Sequence, residues 1–270
     1  MTEPQGRREM RDLLGRHDLT PRKSLGQHFL ADPNIVRRIV RLSEVDSSSN
    51  VLEIGAGTGT LTMGLAATGA RVVAYEIDHH LRPVLEETVG GLANVEIRME
   101  DAADMPTAEL EGDWTVVANL PYHVGTPLLL DALRFAPAIG VFVVMVQREV
   151  ADRLTASPGS KQYGIPTVVA DLHAEVKMAF TVPPQVFFPP PQVSSAVVLL
   201  RRRVDVPALA EAAIGLAAAG FSQRRKMLRS SLRGAVDDPI ALCEAAGIDS
   251  TLRAEALTTA DWLTLAGVAS

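Results

Sequence analysis

The sequence predicts an α/β fold: a mainly parallel, Rossmann-like sheet with an antiparallel end, followed by a small all-helical domain. Three observations support this prediction. A short apolar segment runs directly into a glycine-rich turn and then a helix at Val51–Thr62. Strand-like and helix-like segments then alternate with short connections, which is typical of a parallel sheet covered by helices on both faces. From about Asp205 the chain is rich in alanine and leucine at helical spacing, which indicates a separate helical part.

The predicted elements follow one another in a regular order. Asp32-Pro33 is a favourable helix start, and the apolar stripe behind it runs to about Leu42. The strands predicted for the sheet are 51–54, 71–75, 95–99, 115–118 and 139–146, and the helices between them are 60–68, 79–89 and 126–135. Two more strands, 174–180 and 195–200, are joined by a proline-rich loop instead of a helix, so we expect them to pair antiparallel.

These elements divide the chain into two predicted domains. Residues 1–204 form the sheet domain, which begins with an arginine-rich arm over residues 1–24 that has room for a short helix. Residues 205–270 form the small helical domain. Its predicted helices are 207–219, 222–233, 237–246 and 258–267.

The composition bears on disulfides, metal binding and cellular location. The one cysteine, Cys243, excludes an intrachain disulfide and makes a cysteine-based metal site unexpected, so we predict no metal. The N-terminus lacks an apolar signal core and no apolar run approaches the length of a membrane span, which favours a cytoplasmic protein without a membrane partner. We expect a monomer.

The charge of the chain is distributed unevenly. A formal net charge of −6 by itself argues against a nucleic-acid partner. Residues 1–41, however, hold nine Lys and Arg against five acidic residues, and residues 201–234 hold eight against two. Two basic stretches on an acidic body can still present a phosphate-binding face, so the charge pattern is compatible with an RNA partner.

Distinctive residues stand at the ends of four successive predicted strands. The first strand ends in the glycine loop Gly55–Gly59, the second in Glu76, the third in Asp101 and the fourth in Asn119–Tyr122. In an open α/β sheet the ligand lies beyond these carboxyl ends. Glu76 can accept hydrogen bonds from ribose hydroxyls, and Asp101 is placed to hold an adenine amino group. The strand ends together predict a ligand that contains a nucleoside.

The spacing of the glycines distinguishes between two kinds of cofactor. A dinucleotide fingerprint has G-x-G-x-x-G, whereas this chain has G-x-G-x-G preceded by Glu53. The loop resembles that of the class I S-adenosylmethionine methyltransferases, in which the glycines make room for the methionine part of the cofactor. The Asn119–Tyr122 motif resembles that of enzymes that methylate an exocyclic amino group of a base.

The Asn119–Tyr122 motif has a chemical rationale of its own. The N6 nitrogen of adenine is a poor nucleophile because its lone pair is delocalised into the ring. The side-chain oxygen of Asn119 and a main-chain carbonyl near Leu120 can hold its two N–H groups, which favours a lone pair directed at the methyl group. Tyr122 supplies a flat face on which the base can stack. Catalysis of this kind depends mainly on positioning and electrostatics.

Several motifs in one order resemble the ribosomal RNA adenine dimethyltransferases. They are Lys23–Leu30, the glycine loop, Glu76, Asp101, Asn119–Tyr122 and Val186–Val198, and the resemblance extends from about Arg22 to Leu232. Bacterial small-subunit members of that family dimethylate two adjacent adenines in a hairpin loop near the 3′ end of 16S rRNA. The resemblance therefore implies this reaction in small-subunit maturation, with S-adenosylmethionine as the cofactor.

The resemblance also implies roles for individual residues. At the cofactor it places His28, Leu30, Gly55, Gly57, Glu76, Ile77, Asp101, Ala102 and Asn119. At the target base it places Asn119, Leu120, Tyr122 and Phe187, with Phe187 as the second stacking face. At the RNA we expect Arg22, Lys23, Arg224, Arg225, Lys226 and Arg229.

Two further expectations concern these residues. Arg225 and Arg229 are predicted to share one face of a helix because they are four residues apart. The chain departs from the family by having His28 and His123 where asparagine is usual. Both substitutions keep the ability to form hydrogen bonds, so we expect altered detail and not lost binding.

Three alternative functions remain open from the sequence. A large-subunit rRNA methyltransferase of the macrolide-resistance type is usually strongly basic, and the net acidic charge counts against it. A non-catalytic RNA-binding assembly factor is disfavoured by the intact Asn119–Tyr122 motif. An NAD-dependent oxidoreductase is disfavoured by the glycine spacing.

Overall fold

The structure is a computed structural model, and it describes residues 4–105, 107, 110–122 and 124–269. His123, one of the two departures from the family pattern, lies outside the described residues. The strands are β1 (Phe29–Leu30), β2 (Asn50–Ile54), β3 (Arg71–Tyr75), β4 (Val95–Arg98), β5 (Trp114–Asn119), β6 (Ile139–Gln147), β7 (Ala174–Val182), β8 (Phe187–Phe188) and β9 (Ser195–Arg202). The helices are α1 (Arg7–Arg16), α2 (Pro33–Ser43), α3 (Thr60–Ala66), α4 (Arg82–Thr88), α5 (Gly125–Phe135), α6 (Arg148–Leu154), α7 (Ile165–His173), α8 (Ala210–Ser222), α9 (Leu228–Ser231), α10 (Pro239–Ala245) and α11 (Thr259–Ala269).

Seven of the strands form one sheet in the order β4-β3-β2-β5-β6-β9-β7. The pairs β2–β3, β3–β4, β2–β5 and β5–β6 are parallel, whereas β9 runs antiparallel to β6. The predicted Rossmann-like sheet, mainly parallel with an antiparallel end, is confirmed. The chain builds outward from β2 in one direction and from β5 in the other. The crevice at the carboxyl ends of β2 and β5 is therefore the place where a ligand is expected.

Local sequence explains why the sheet forms where it does. The side chains of Val51, Val72, Val117 and Val143 are fully buried, as expected of strands covered on both faces. Helix α2 begins at the predicted cap, where the Asp32 carboxylate accepts hydrogen bonds from two main-chain N–H groups of the first turn. None of the helices in the described residues has the length and apolar character needed to cross a membrane.

The N-terminal arm is more ordered than a polar extension. Helix α1 is amphipathic, and its side chains Met10, Leu13 and Leu14 are buried in a cluster that includes Phe29. Ahead of the helix, the buried Gln5 accepts a hydrogen bond at its side-chain oxygen from the hydroxyl of Thr60. The arm therefore folds as part of the sheet unit.

The contacts within the chain divide it into two units at other positions than predicted. The first contains residues 1–151 and 177–201, and the second contains residues 152–176 and 202–270. The predicted single boundary between residues 204 and 205 did not include residues 152–176 in the second unit. This segment contains helix α7, which was not predicted. Within the second unit, the Arg203 N–H donates to the His173 carbonyl at 2.8 Å, and the Gly159 N–H donates to the Glu255 carbonyl at 2.6 Å.

The predicted helix over residues 222–233 is wrong. Helix α8 ends at Ser222, and only α9 is helical in the rest of that range. Residues 223–227 form a turn in which the Lys226 N–H donates to the Gln223 carbonyl at 2.8 Å. Met227 forms an isolated antiparallel bridge with Arg253, a residue far away in the sequence. That pairing uses main-chain groups that a continuous helix would need. The other three predicted helices correspond to α8, α10 and α11.

Candidate active site

A cavity of about 270 Å³ lies in the first unit, beyond the carboxyl ends of β2, β3 and β5. Of the residues predicted for the cofactor and the target base, ten line it: His28, Gly55, Gly57, Glu76, Ile77, Asp101, Ala102, Asn119, Leu120 and Tyr122. Val124 and Leu128, which the sequence reasoning missed, also line it. Their only local signal is their position, directly after the Asn119–Tyr122 motif. The described part of the chain brings no group of three or more His, Cys, Asp or Glu side chains together that could hold a metal ion.

The glycine loop after β2 forms the floor of the cavity. Gly55 and Gly57 have φ angles of +79° and +59°, which side chains rarely adopt. A Cβ atom on Gly57 would lie 3.0 Å from the ring of Phe29, so the loop and β1 approach each other closely only because glycine is present. The Tyr75 carbonyl accepts hydrogen bonds from the N–H groups of Gly55 at 2.9 Å and Ala56 at 3.0 Å, which anchors the loop to β3.

Glu76 links the glycine loop to the end of β3. Its side chain is buried, and its two oxygens accept hydrogen bonds from the N–H groups of Gly57 at 2.8 Å and Asp78 at 2.9 Å. Burial raises the pKa of the Glu76 carboxyl. Each carboxylate oxygen has a second lone pair, so the group can still accept hydrogen bonds from a ligand in the cavity. Asp101 is exposed and caps the turn after β4 by accepting from the Ala103 N–H at 2.9 Å.

Asn119, at the end of β5, has its side-chain amide oriented by the chain itself. Its Nδ2 donates to the main-chain carbonyl of His28 at 3.1 Å. A carbonyl can only accept a hydrogen bond, so the amide nitrogen must face it and the Oδ1 acceptor must face away. The next residue is fixed as well, because the Leu120 N–H donates to the Met145 carbonyl at 3.0 Å.

The Tyr122 ring is held at its edge and on one face. Its hydroxyl lies 2.8 Å from the hydroxyl of the fully buried Ser195, and burial raises the pKa of the Tyr122 hydroxyl. The imidazole of His28 stacks on the ring with the centroids 5.6 Å apart and the planes 30° apart. The ring is therefore in place before any base arrives.

Two of the predicted site residues do not reach the cavity. Leu30 and Phe187 are paired across the antiparallel β1–β8 ribbon, and both side chains are buried in the core under the sheet. The prediction that Phe187 offers a second stacking face is contradicted, because the side chain is 0% exposed. Neighbouring residues in a strand point to opposite sides, so Phe188 faces the other way, where the Arg11 guanidinium lies 5.6 Å from its ring centroid.

Arg22 and Lys23, the RNA contacts predicted near the N-terminus, differ in their contacts within the chain. The Arg22 guanidinium forms an ion pair with the buried carboxylate of Asp78 at 3.1 Å. Gln27 donates to the other oxygen of Asp78 at 2.8 Å. Arg22 therefore fixes the segment that leads into the cavity, although its side chain is partly exposed, and Lys23 beside it is exposed as well.

In the second unit, the Arg224 guanidinium forms hydrogen bonds within the chain. Its guanidinium donates to the Glu255 carboxylate at 2.9 Å and to the main-chain carbonyl of Lys161 at 2.8 Å. These contacts do not support its predicted role as a phosphate ligand. The expectation that Arg225 and Arg229 share a helix face is wrong, because Arg225 lies in the turn before α9.

A basic surface remains around that turn. Arg225, Lys226 and Arg229 are exposed, and Arg253 is exposed beside them through its bridge to Met227. Arg253 was missed because nothing in its local sequence indicates the pairing. We call these four basic residues the turn surface.

A model of the family described as ribosomal RNA adenine dimethylase matches residues 19–269 of the chain. The chain belongs to this family. Membership in the ribosomal RNA adenine dimethylase family confirms both the predicted family and the prediction of a methyltransferase enzyme.

Bacterial relatives are similar to nearly the whole chain. One from Rhodospirillum rubrum, named ribosomal RNA small subunit methyltransferase A, is 44% identical over 273 residues, which cover 98% of this chain and 93% of the relative. One of the same name from Phenylobacterium zucineum is 42% identical over 261 residues, which cover 95% of this chain and 91% of the relative.

Two solved methyltransferase structures share the fold. A dimethyladenosine transferase from Plasmodium falciparum superposes with a TM-score of 0.76 at 26% identity, covering 88% of this chain and 96% of that chain. The 23S rRNA methyltransferase ErmE superposes with a TM-score of 0.70 at 28% identity, covering 89% of this chain and 99% of that chain. The predicted methyltransferase fold is therefore confirmed.

A buried acidic residue precedes the glycine loop. Glu53, in β2 ahead of the glycine loop, is 1% exposed, and its Oε2 has no hydrogen-bond partner within the described residues. Burial, with a smaller contribution from the negative charge of Glu76, raises the pKa of Glu53 to about 8. The folded protein therefore keeps a proton on Glu53 at pH values where the unfolded chain has lost it.

This difference predicts a pH dependence of stability. Between the ordinary pKa of 4.5 and the raised value of about 8, the folded state binds more protons, so the free energy of unfolding falls as pH rises. We expect Glu53→Gln to be more stable than the parent protein at pH 8.5, by on the order of 3 kcal/mol, and to match it more closely at pH 5. Urea unfolding at the two pH values measures this, with the exposed Glu175→Gln as the control. Parallel pH profiles for Glu53→Gln and the parent protein would contradict the assignment.

Proposed function

We propose that the protein transfers methyl groups from S-adenosylmethionine to the N6 atoms of two adjacent adenines in the 3′-terminal hairpin of 16S rRNA, in maturation of the small ribosomal subunit. The observation that carries the proposal is the fixed Asn119 amide, whose Oδ1 faces away from the His28 carbonyl at the edge of the cavity. The names of the 42–44% identical relatives support the small subunit as the target. Such a substrate implies a cytoplasmic protein.

The residues around the cavity fit the proposed cofactor. The buried Glu76 carboxylate retains lone pairs for ribose hydroxyls, and Asp101 lies at the next strand end for an adenine amino group. Ile77, which is 50% exposed, offers an apolar contact for a base. The glycine loop lines the cavity at Gly55 and Gly57, where we place the methionine part. When bound, S-adenosylmethionine supplies an electrophilic methyl group on a sulfonium.

The residues of the chain then act on the target adenine by holding it. The Asn119 Oδ1 accepts one N6–H and the main-chain carbonyl of Leu120 accepts the other, which directs the N6 lone pair towards the methyl group. Tyr122 stacks on the extruded base. The N6 proton becomes acidic as the N–C bond forms and is lost to solvent, so no strong general base is needed. Positioning of the two reacting groups supplies most of the rate enhancement.

The turn surface is the proposed contact with the rRNA backbone. Its four basic side chains are exposed on a short turn, on the helix α9 that follows it and on the segment bridged to the turn. Lys and Arg side chains bind phosphates without reading sequence, and each contact releases condensed counterions. Arg224 is left out of this surface because its guanidinium holds Glu255 and the Lys161 carbonyl.

We predict that changing Arg225, Lys226 and Arg229 together to alanine weakens RNA binding and flattens its salt dependence. Each lost phosphate contact lowers the slope of log K against log salt concentration by about 0.7–0.9. A salt titration of RNA binding measures the slope. Changing the exposed Arg71, Arg82 and Lys177 to alanine removes the same charge from the first unit and serves as the control. Equal slopes for the two triple variants would remove the turn surface from the interface.

The proposed reaction is tested by methyl transfer from labelled S-adenosylmethionine to purified ribosomal subunits that lack the modification. We expect label in the small subunit and none in the large subunit. Label in the large subunit would instead favour the reaction named for ErmE. No label in either, with folded protein that binds the cofactor, would favour a non-catalytic assembly factor.

A further inference from the structure

We infer that His28 is a positioning residue for the target adenine, a role that rests on the proposed function and goes beyond contact with the cofactor. His28 lines the cavity and contacts two of the three residues that are proposed to hold the base, Asn119 and Tyr122. Its main-chain carbonyl accepts from the Asn119 amide, and its ring stacks on Tyr122. One residue thus sets the direction of the hydrogen-bond acceptor and the plane of the stacking face.

The orientation of the His28 ring is itself fixed. Its Nδ1 lies 2.8 Å from the main-chain carbonyl of Pro189. Because a carbonyl only accepts, Nδ1 must carry a proton and donate it, which settles both the rotation of the ring and its tautomer when it is neutral. The proline-rich segment that contributes Pro189 also leads into Ser195, whose hydroxyl holds the Tyr122 hydroxyl at 2.8 Å. The same segment therefore braces both stacked rings.

Tyr122 is the ring proposed to stack on the base, because the faces of Phe187, Phe29 and Tyr75 are covered by the rest of the chain. Phe187 is completely buried, and Phe29 and Tyr75, which line the cavity, are 6% and 2% exposed. The His28 ring occupies one face of Tyr122, so the opposite face is the one that a base can use. A tilt of Tyr122 would tilt the base and move its N6 away from the line to the methyl group. Reaction rate is sensitive to such small displacements.

The side chain at position 28 combines two properties that can be separated by mutation. An asparagine can donate to the Pro189 carbonyl but has no ring to stack on Tyr122. A phenylalanine keeps a ring but cannot donate. If the stack is what positions the base, His28→Phe should retain function better than His28→Asn. Aromatic pairs contribute enough for the loss of one to cost about two- to tenfold in rate.

The experiment measures methyl transfer and base stacking in parallel. His28→Asn, His28→Phe and the control His79→Asn, an exposed histidine outside the cavity, are compared with the parent protein for kcat and for KM of S-adenosylmethionine and of RNA. Stacking is followed with an RNA that carries 2-aminopurine in place of the target adenine, because its fluorescence is quenched when the base lies on an aromatic ring. Thermal unfolding shows that each variant is folded.

We expect His28→Asn to lower kcat about two- to tenfold and to weaken the quenching. His28→Phe should stay closer to the parent protein in both measurements. The inference is overturned if His28→Asn matches the parent protein in kcat and quenching, or if His28→Phe is as impaired as His28→Asn. A parent protein that quenches 2-aminopurine but methylates no subunit would refute the proposed function and leave the positioning role standing.

Discussion

Replacing Asn119 with alanine is expected to lower kcat for methyl transfer by about 100- to 1,000-fold, in the range found when one fixed hydrogen-bonding group is removed from a reaction centre. The Asn119 Oδ1 is the acceptor that the structure directs away from the His28 carbonyl, and alanine has no acceptor. The N6 nitrogen would then lose one of the two contacts that set its geometry. S-adenosylmethionine should still bind, because Glu76 and the glycine loop are unaffected. Single-turnover kinetics and calorimetric titration with S-adenosylmethionine separate the two effects.

A second variant sharpens the Asn119 test. Asn119→Asp keeps an acceptor but places a carboxylate oxygen against the His28 carbonyl, where Nδ2 now donates at 3.1 Å. Repulsion between two acceptors should turn the side chain away, so we expect this variant to be nearly as slow as Asn119→Ala. Asn34→Ala, at an exposed asparagine of α2, is the matched control and should be fully active. An active Asn119→Ala variant would remove Asn119 from the proposed chemistry.

Replacing Glu76 with alanine is expected to weaken binding of S-adenosylmethionine by about 100-fold or more. The change removes the acceptors for the ribose hydroxyls. It also leaves the N–H groups of Gly57 and Asp78 without their present partners, which costs about 1–3 kcal/mol for each group that stays buried and unsatisfied. The glycine loop would then lose one of its links to β3 and keep its hydrogen bonds to the Tyr75 carbonyl.

The Glu76 prediction is checked by titration calorimetry on folded protein. Glu76→Gln should also bind poorly, because its amide nitrogen would face one of the two donor N–H groups. Glu86→Ala, at an exposed glutamate of α4, removes the same charge elsewhere and should bind normally. Tight binding by Glu76→Ala would mean that the cofactor does not use this strand end.

Much of the fold follows from local patterns. The β2 strand, the glycine loop and α3 are encoded within Val51–Ala66, and the strand-end residues follow from the rule that the carboxyl ends of parallel strands meet at one edge. The cap at Asp32 likewise needs only its neighbours. For the same reason, most of the residues predicted at the cavity do line it.

The predictions that differ from the structure depend on contacts between distant segments. Phe187 and Phe188 are adjacent and chemically alike, and only the pairing of β8 with β1 decides which of them is buried. The segment 222–233 has helical character in isolation, but the bridge of Met227 to Arg253 ends the helical order. The role of Arg224 depends on the positions of Glu255 and the Lys161 carbonyl, which no local pattern reveals.

The chemical identity and position of the product distinguish the proposed dimethylation from every other methyl transfer to rRNA. Small subunits that lack the modification are incubated with the protein and S-adenosylmethionine, and the rRNA is digested and mapped by mass spectrometry. We predict N6,N6-dimethyladenosine at two adjacent positions of the 3′-terminal hairpin, and its absence with Asn119→Ala. Methylation at another atom or another site of the rRNA, or an unmodified hairpin after reaction with folded, cofactor-binding protein, would contradict it.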